Sequence, residues 1–203
     1  MGRNDSEPIR IRSEVVLSKL IEINHVSLGG EVGKNDWALP YLDDDHTRHA
    51  SQTLNDAEAL LLGRVTYEGL SAAYPAMPLS PFVNRMNHIP KYVASKTLHE
   101  FRWNAQGIEG DVAAFVDALK ARSSGNILKY GNGVLDAALM AAGLIDEFHL
   151  LLTPVATSAS AHMFEFVSGA PRLNLLQIET FKSGVVLLVY GAAGPGGSNK
   201  EER

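Results

Sequence analysis

Asn126-Ile127-Leu128-Lys129-Tyr130-Gly131-Asn132-Gly133-Val134-Leu135-Asp136-Ala137-Ala138-Leu139-Met140-Ala141-Ala142-Gly143 is the stretch that decides the fold class. Asn126–Tyr130 is an apolar run of strand length, and Gly131-Asn132-Gly133 is a turn. Val134–Ala142 has helical spacing, with Leu135, Leu139 and Met140 packing and Gly143 as a left-handed stop. A strand that enters a helix through a glycine turn is the unit from which parallel α/β sheets are built.

The same texture recurs on either side. Strand-like runs occur at Lys19–Val26, Ala59–Leu62, Tyr92–Ala94, Glu147–Leu152, Asn174–Thr180 and Val185–Tyr190. Asp43, Asp44 and Asp45 cap a helix expected to run to about Ala57, with their charges at its positive end. Asp111 caps a second helix over Val112–Arg122, whose Val112, Phe115, Val116 and Leu119 share a face. Strands and helices alternate early, the last strands are consecutive, and Lys182-Ser183-Gly184 makes a hairpin turn between them. The pattern predicts a mainly parallel sheet covered on both faces, with an antiparallel hairpin appended.

The 203 residues, 45% of them hydrophobic, suit one domain over 15–191, with a flexible arm over 1–14 and a Gly/Pro-rich flexible tail over 192–203. The absence of cysteine excludes disulfides, thiolate zinc sites, iron–sulfur clusters and a thiol nucleophile. A net charge of −5 argues against nucleic acid or an anionic membrane as partner. Met1–Ser13 has no apolar signal core, and runs such as Phe148–Leu152 are too short to span a bilayer, so a soluble cytoplasmic protein is expected.

Ligands of such sheets bind in loops at the carboxyl ends of strands, and four of these junctions stand out. Gly63-Arg64-Val65-Thr66 pairs a close-turning backbone and a helix start with a guanidinium, which suits phosphate; it also makes an ordinary tight turn. Ser95-Lys96-Thr97 offers two hydroxyls and an ammonium for a second phosphate, and the same residue types are common in turns. Gly131-Asn132-Gly133 brings flexible backbone to a helix start. It departs from the dinucleotide G-x-G-x-x-G pattern, because Asp136 stands at the third glycine. Ser27-Leu28-Gly29-Gly30 begins a loop reaching Trp37 and Tyr41, either a cover for a flat heterocycle or a long loop pinned by Trp37. Three anion-friendly turns at one sheet edge suggest an elongated diphosphate ligand.

The order LLGRVTYEG, FVNRMNHIPKYVASKTL and ILKYGNGVLDAALMAAGLIDEFHLLLTPV resembles the dihydrofolate-reductase-like superfamily, and within it the reductase domain of bacterial riboflavin biosynthesis, over roughly residues 19–190. The resemblance implies a three-layer α/β/α sandwich and NADPH as hydride donor. It implies that Gly63, Arg64 and Thr66 lie at the cofactor's phosphates, and that Ser95 and Lys96 face the adenosine 2′-phosphate. Gly131, Asn132, Gly133, Val134 and Leu135 would line the pyrophosphate and nicotinamide side. It further implies a small heterocyclic or carbonyl substrate, like that of 5-amino-6-(5-phosphoribosylamino)uracil reductase, and a homodimer formed through the sheet and C-terminal hairpin.

The chain departs from the family in three places. The family's first loop reads Ser-Leu-Asp-Gly, whereas Gly29 here replaces a carboxylate that sits beside the substrate. Gly131-Asn132 replaces two adjacent small residues, at a bond that relatives can hold in the cis form, and the question is open for this chain. The loop after Pro154 reads Ala156-Thr157-Ser158-Ala159-Ser160-Ala161-His162 in place of a Gly-x-Gly turn.

Reduction by a dihydronicotinamide asks the protein to orient the reactants and supply one proton. No residue is assigned that role. Asp43, Asp44 and Asp45 are the nearest carboxylates and read as well as helix caps; Glu165 and His162 lie in the altered loop. The seven histidines make no His-x-His or H-E-x-x-H pattern, and His46 and His49 are expected on an exposed polar helix, so no metal is expected. No G-x-S-x-G elbow occurs. Met86 and Met140 are expected to fill core gaps, and Arg85 has no evident role. Two other readings stand beside the riboflavin-type reductase: a dihydrofolate or pterin reductase, and a non-catalytic nucleotide-binding sensor.

Overall fold

The computed structural model describes residues 18–33, 35–158 and 161–192. The arm expected over 1–14 lies outside them, as does the tail expected over 192–203 apart from Ala192, which closes the last strand. In chain order the elements are β1 (Leu20–Val26), β2 (Glu31–Val32), a 3-10 turn (Asn35–Tyr41), α1 (Asp44–Asn55), β3 (Ala57–Gly63), α2 (Arg64–Ala73), α3 (Pro81–His88) and β4 (Lys91–Ala94). There follow β5 (Ala105–Gly107), α4 (Val112–Arg122), β6 (Asn126–Tyr130), α5 (Val134–Ala141), β7 (Glu147–Leu152), β8 (Ala161–His162), β9 (Leu173–Thr180) and β10 (Val186–Ala192).

Eight strands form one sheet in the order β5-β4-β3-β6-β1-β7-β10-β9, while β2 and β8 make a separate two-stranded ribbon. Pairing is parallel from β5 to β7 and antiparallel from β7 through β10 to β9. The strand residues explain this arrangement. Leu60, Leu61 and Leu62 are consecutive and all fully buried, which requires cover on both faces of β3. Leu60 and Leu62 join a core with Leu54 of α1, Tyr67 of α2 and Met86 of α3. Leu61 joins the opposite core with Val116 and Leu119 of α4 and Leu139 of α5. This is the three-layer α/β/α sandwich, with its antiparallel hairpin, that the sequence predicts. No described helix is long and apolar enough to cross a membrane.

The boundaries shift where short polar signals compete. The helix expected to reach Ala57 ends at Asn55, and Ala57 already opens β3 against Asn126. α3 was not expected; Ser80 caps it by accepting the Val83 N–H at 3.1 Å, and Pro81 opens its first turn. Arg85 has a structural role there, donating to the Ala57 carbonyl at 2.5 Å and so tying α3 to the start of β3. Lys182-Ser183-Gly184 is the hairpin turn, with Gly184 at φ +89° and the Phe181 N–H on the Val185 carbonyl. The outer strand β9 leaves Leu175, Leu176 and Ile178 exposed.

Phe148 is fully buried in the core beneath α4 and α5, edge-on to Phe164. Phe148→Ala is expected to cost about 3–5 kcal/mol, read as a lower urea midpoint; a loss below about 1 kcal/mol would show that this core repacks around the cavity.

Candidate active site

The parallel register lines up the junctions singled out in the sequence. Gly63 is level with Ala94 across β3 and β4, and Tyr130 is level with both Leu62 and Ile23. The turns beginning at Ser95, Gly63, Gly131 and Ser27 therefore stand side by side along the carboxyl edge of β4-β3-β6-β1. The helices that follow β3 and β6 leave on opposite faces, since α2 packs in one core and α5 in the other. Adjacent strands with diverging helices open a crevice, the usual ligand position in such sheets.

Gly63 is the N-cap of α2 and brings no side chain to its first N–H groups, and a Cβ at Gly63 would meet only open space. The Arg64 guanidinium crosses to the next turn: Nη1 donates to Thr97 Oγ1 at 2.7 Å and Nε to Glu68 Oε1 at 2.9 Å. Ser95 Oγ accepts the N–H groups of Thr97 and Leu98 and so shapes its own turn, while Lys96 is exposed beside it. Gly131, at φ +82°, touches Thr66; a Cβ there would overlap the Thr66 hydroxyl. The Gly131–Asn132 bond is trans. Asn132 Nδ2 donates to the His162 carbonyl at 3.1 Å. Val134 is exposed at the start of α5, whereas Leu135 turns back into the core.

A buried ionic cluster lies under the Gly131–Gly133 turn. Lys129 points from β6 into the α5 face, where it ion-pairs with Asp136 and lies 3.5 Å from Glu22 Oε2. All three side chains are nearly inaccessible. The cluster holds the turn by both ends, because Lys129 Nζ donates to the Gly131 carbonyl at 2.5 Å and Asp136 Oδ2 accepts the Gly133 N–H at 2.6 Å. Asn24 Nδ2 donates to the remaining Glu22 oxygen at 2.8 Å. Burial pushes the Glu22 carboxyl up to about 8 despite the opposing pull of Lys129.

A cavity of about 720 Å³ opens on the other face, between the sheet and the helices α1 to α3, and meets the crevice at Thr66, Gly131 and Asn132. Its wall carries His25, His46 and His49 beside Tyr74, Phe82 and Tyr130. His46 and His49 are therefore not on an exposed face of α1, as expected from the sequence, but on the face turned toward the sheet. His25 Nε2 lies 3.2 Å from His46 Nε2, and His49 Nε2 lies 3.4 Å from Nδ1 of His149 on β7. Burial and the neighbouring imidazoles push His25 and His49 down to about 4; burial also lowers His46, against the pull of Asp43. The cavity is thus lined by neutral imidazoles at neutral pH. Sequence reasoning missed this set, although a signal existed: His25 continues the inward alternation of Ile21 and Ile23, and His149 that of Leu151.

The carboxylates considered as proton donors sit elsewhere. Asp43 caps α1, accepting the His46 N–H at 2.9 Å, and its other oxygen accepts the Ser183 N–H at 2.8 Å. Asp45 accepts the Lys182 N–H at 2.9 Å and pairs with Arg48. Both dock the β9–β10 turn on α1, and Asp44 is exposed. None of the three lines the cavity. Glu165 stands on the rim and accepts the His162 N–H at 3.2 Å; His162 itself is exposed. Trp37 and Tyr41 do not line the cavity, whereas Met86 belongs both to the core and to the cavity wall. In the first loop, a Cβ on Gly29 would lie 2.5 Å from Glu31 Oε2. The Glu31 carboxylate occupies that space, held by the Ser27 hydroxyl, whose hydrogen bond keeps it below the usual carboxylate range.

Lys129→Met would leave the buried Asp136 carboxylate without its ammonium and is expected to cost about 3–5 kcal/mol, read in urea unfolding. The raised Glu22 also has a pH signature. A carboxyl that binds its proton more tightly when folded adds stability below its unfolded pKa, and that contribution is lost as pH rises toward about 8. Glu22→Gln is therefore expected to become more stable relative to wild type as pH rises from about 5 to 8; a difference independent of pH would show that Glu22 titrates normally.

The profile of the RibD C-terminal domain matches residues 19–187. The uncharacterized protein YyaP of Bacillus subtilis strain 168 is 29% identical over 166 residues, covering 79% of this chain and 86% of YyaP. Among solved structures, a pyrimidine reductase-like protein from Corynebacterium diphtheriae superposes with a TM-score of 0.61 at 14% identity, covering 87% of this chain and 92% of that one. Dihydrofolate reductase from Enterococcus faecalis, complexed with NADP(H), superposes with a TM-score of 0.55 at 17% identity, covering 86% and 96%. With its turns, crevice and sheet order in place, this chain belongs to the RibD C-terminal domain family.

Proposed function

We propose that the protein is a reductase that uses NADPH to reduce a small heterocyclic substrate, of the kind handled by 5-amino-6-(5-phosphoribosylamino)uracil reductase. The observation that carries this reading is the crevice between β3 and β6, flanked by the starts of α2 and α5 and opening into a large cavity. The fold neighbour from Enterococcus faecalis is a dihydrofolate reductase complexed with NADP(H).

The residues fit such a cofactor. The start of α2 over Gly63, Arg64 and Thr66 has no side-chain cap, and a Cβ on Gly63 or Gly133 would meet only open space. A diphosphate needs that close approach and the positive helix ends. Gly131, Asn132, Gly133, Val134 and Leu135 would hold the far side of the pyrophosphate and the nicotinamide. Ser95 and Lys96 would take the 2′-phosphate, with Arg64 bridging the two turns. The bound dihydronicotinamide would supply a hydride. The protein's part is to hold the substrate in the cavity between Tyr74, Phe82 and Tyr130, exclude water from it and provide a proton. The exposed β9 residues Leu175, Leu176 and Ile178 support a homodimer formed through the hairpin.

Fluorescence titration with NADPH and NADH tests the reading, and binding of neither would overturn it. Arg64→Ala is expected to weaken NADPH binding by roughly 1.5–3 kcal/mol, about 10- to 100-fold in Kd. Lys96→Ala is expected to reduce the preference for NADPH over NADH; an unchanged ratio would remove Lys96 from the 2′-phosphate site. Sedimentation of wild type against Ile178→Lys tests the dimer, which the added charge is expected to disperse.

A further inference from the structure

Trp103 and Asn104, just before β5, carry the backbone into the left-handed region at φ +61° and φ +50°. Asparagine tolerates that conformation, whereas for a bulky residue such as tryptophan it is a genuine outlier. Such strain persists only where the surroundings over-determine it, and it collects at ligand sites.

Two helices and a strand hold this segment. The Tyr67 hydroxyl on α2 accepts the Arg102 N–H at 2.8 Å and donates to the Arg102 carbonyl at 3.1 Å. The end of α3 takes the next two residues: Trp103 Nε1 donates to Asn87 Oδ1 at 2.7 Å, and Asn104 Nδ2 donates to the His88 carbonyl at 2.5 Å. From β4, the Lys91 N–H donates to the Asn104 carbonyl at 3.0 Å. The buried Lys91 Nζ donates to the Ile89 carbonyl at 2.7 Å and lies over the indole, 4.1 Å from its centre, where a cation is favoured.

The indole so fixed stacks on Tyr74, with ring centres 5.7 Å apart and planes 25° from parallel. Tyr74 is the C-cap of α2 and lines the cavity together with Phe82, whose ring centre lies 6.3 Å from its own. It is also close enough to Tyr130, on the same cavity wall, to add to the burial that raises the Tyr130 hydroxyl. Trp103 itself stands behind this wall rather than in it. A ring at a helix end that borders open cavity keeps one orientation only if something packs against it from behind.

We propose that Trp103 is a positioning residue for the cavity: its indole, fixed by the left-handed pair 103–104, braces the Tyr74 ring and so sets the width of the slot in which a flat substrate ring lies. That a substrate ring fills the slot rests on the reductase reading above.

The brace is read in ¹H–¹³C spectra of the full chain labelled at the ε carbons of its six tyrosines, with Tyr74 and Tyr130 assigned by their loss in Tyr74→Phe and Tyr130→Phe. In wild type the Tyr74 ring protons are expected upfield, under the stacked indole. A Tyr74 signal at the free-tyrosine position overturns the proposal, whether or not any variant folds. Trp103→Leu removes the indole's ring current from Tyr74 in any case, so the deciding signal is Tyr130, whose ring is not in contact with Trp103 among the described residues. That signal is expected to move, while Tyr92 and Tyr190, which pack against the opposite core, keep their positions. An unmoved Tyr130 in the folded Trp103→Leu protein overturns the brace. Trp103→Phe keeps a ring behind Tyr74 and is expected to hold Tyr130 at its wild-type position; a displaced Tyr130 there overturns the brace as well. NADPH titration of the wild-type sample separates the two readings. Absent binding removes the reductase reading while the tyrosine signals still decide the brace, whereas bound NADPH with Tyr130 unmoved in Trp103→Leu removes the brace alone.

Discussion

The Lys129 ammonium, enclosed between Asp136 and Glu22, is the interaction on which the site's geometry depends. A buried cation is tolerable only where its partners are held as rigidly as it is. Lys129 therefore ties together β6, β1 and the first turn of α5, and through the Gly131 carbonyl it fixes the turn between them. Asp136 closes the same turn from the helix side. The glycines gain close approach without gaining disorder, because the polar groups that would let them wander are satisfied from below. Full burial of the cluster shields it from salt, so the turn does not soften with ionic strength as a surface pair would.

The sheet edge was legible in the sequence because its signals are local. Leu60-Leu61-Leu62, the glycine turn after Tyr130 and the Asp111 cap each carry their meaning within a few residues, and the register then places their turns in one row. The cavity was less legible because it is made by long-range packing. His46 and His49 sit on a helix whose neighbours in sequence are charged, and the polar stripe read as solvent-facing is the stripe that turns toward β1 and β7. In the acidic triplet at 43–45 the capping reading holds for Asp43, and what the sequence could not show is that Asp43 and Asp45 also dock the β9–β10 turn. Short elements such as β2, β5 and β8 hold too few residues to show any period at all.

The site is divided by the sheet into two electrostatic environments. The α5 face buries formal charge and uses it for rigidity, while the cavity face collects imidazoles and phenols that burial keeps neutral. A ligand lying across the crevice meets helix ends and exposed cations at the Arg64 and Lys96 end, and uncharged polarisable groups in the cavity. Such a gradient orients an elongated molecule that is anionic at one end and flat and neutral at the other.

The first loop carries a mutual constraint between two positions. Ser27 has one hydroxyl to give, and Glu31 takes it from the space above Gly29. An aspartate restored at position 29 would compete for that space and displace the Glu31 carboxylate rather than add a second acid. Positions 29 and 31 are therefore coupled in this loop, because the space beside the Ser27 hydroxyl holds one carboxylate.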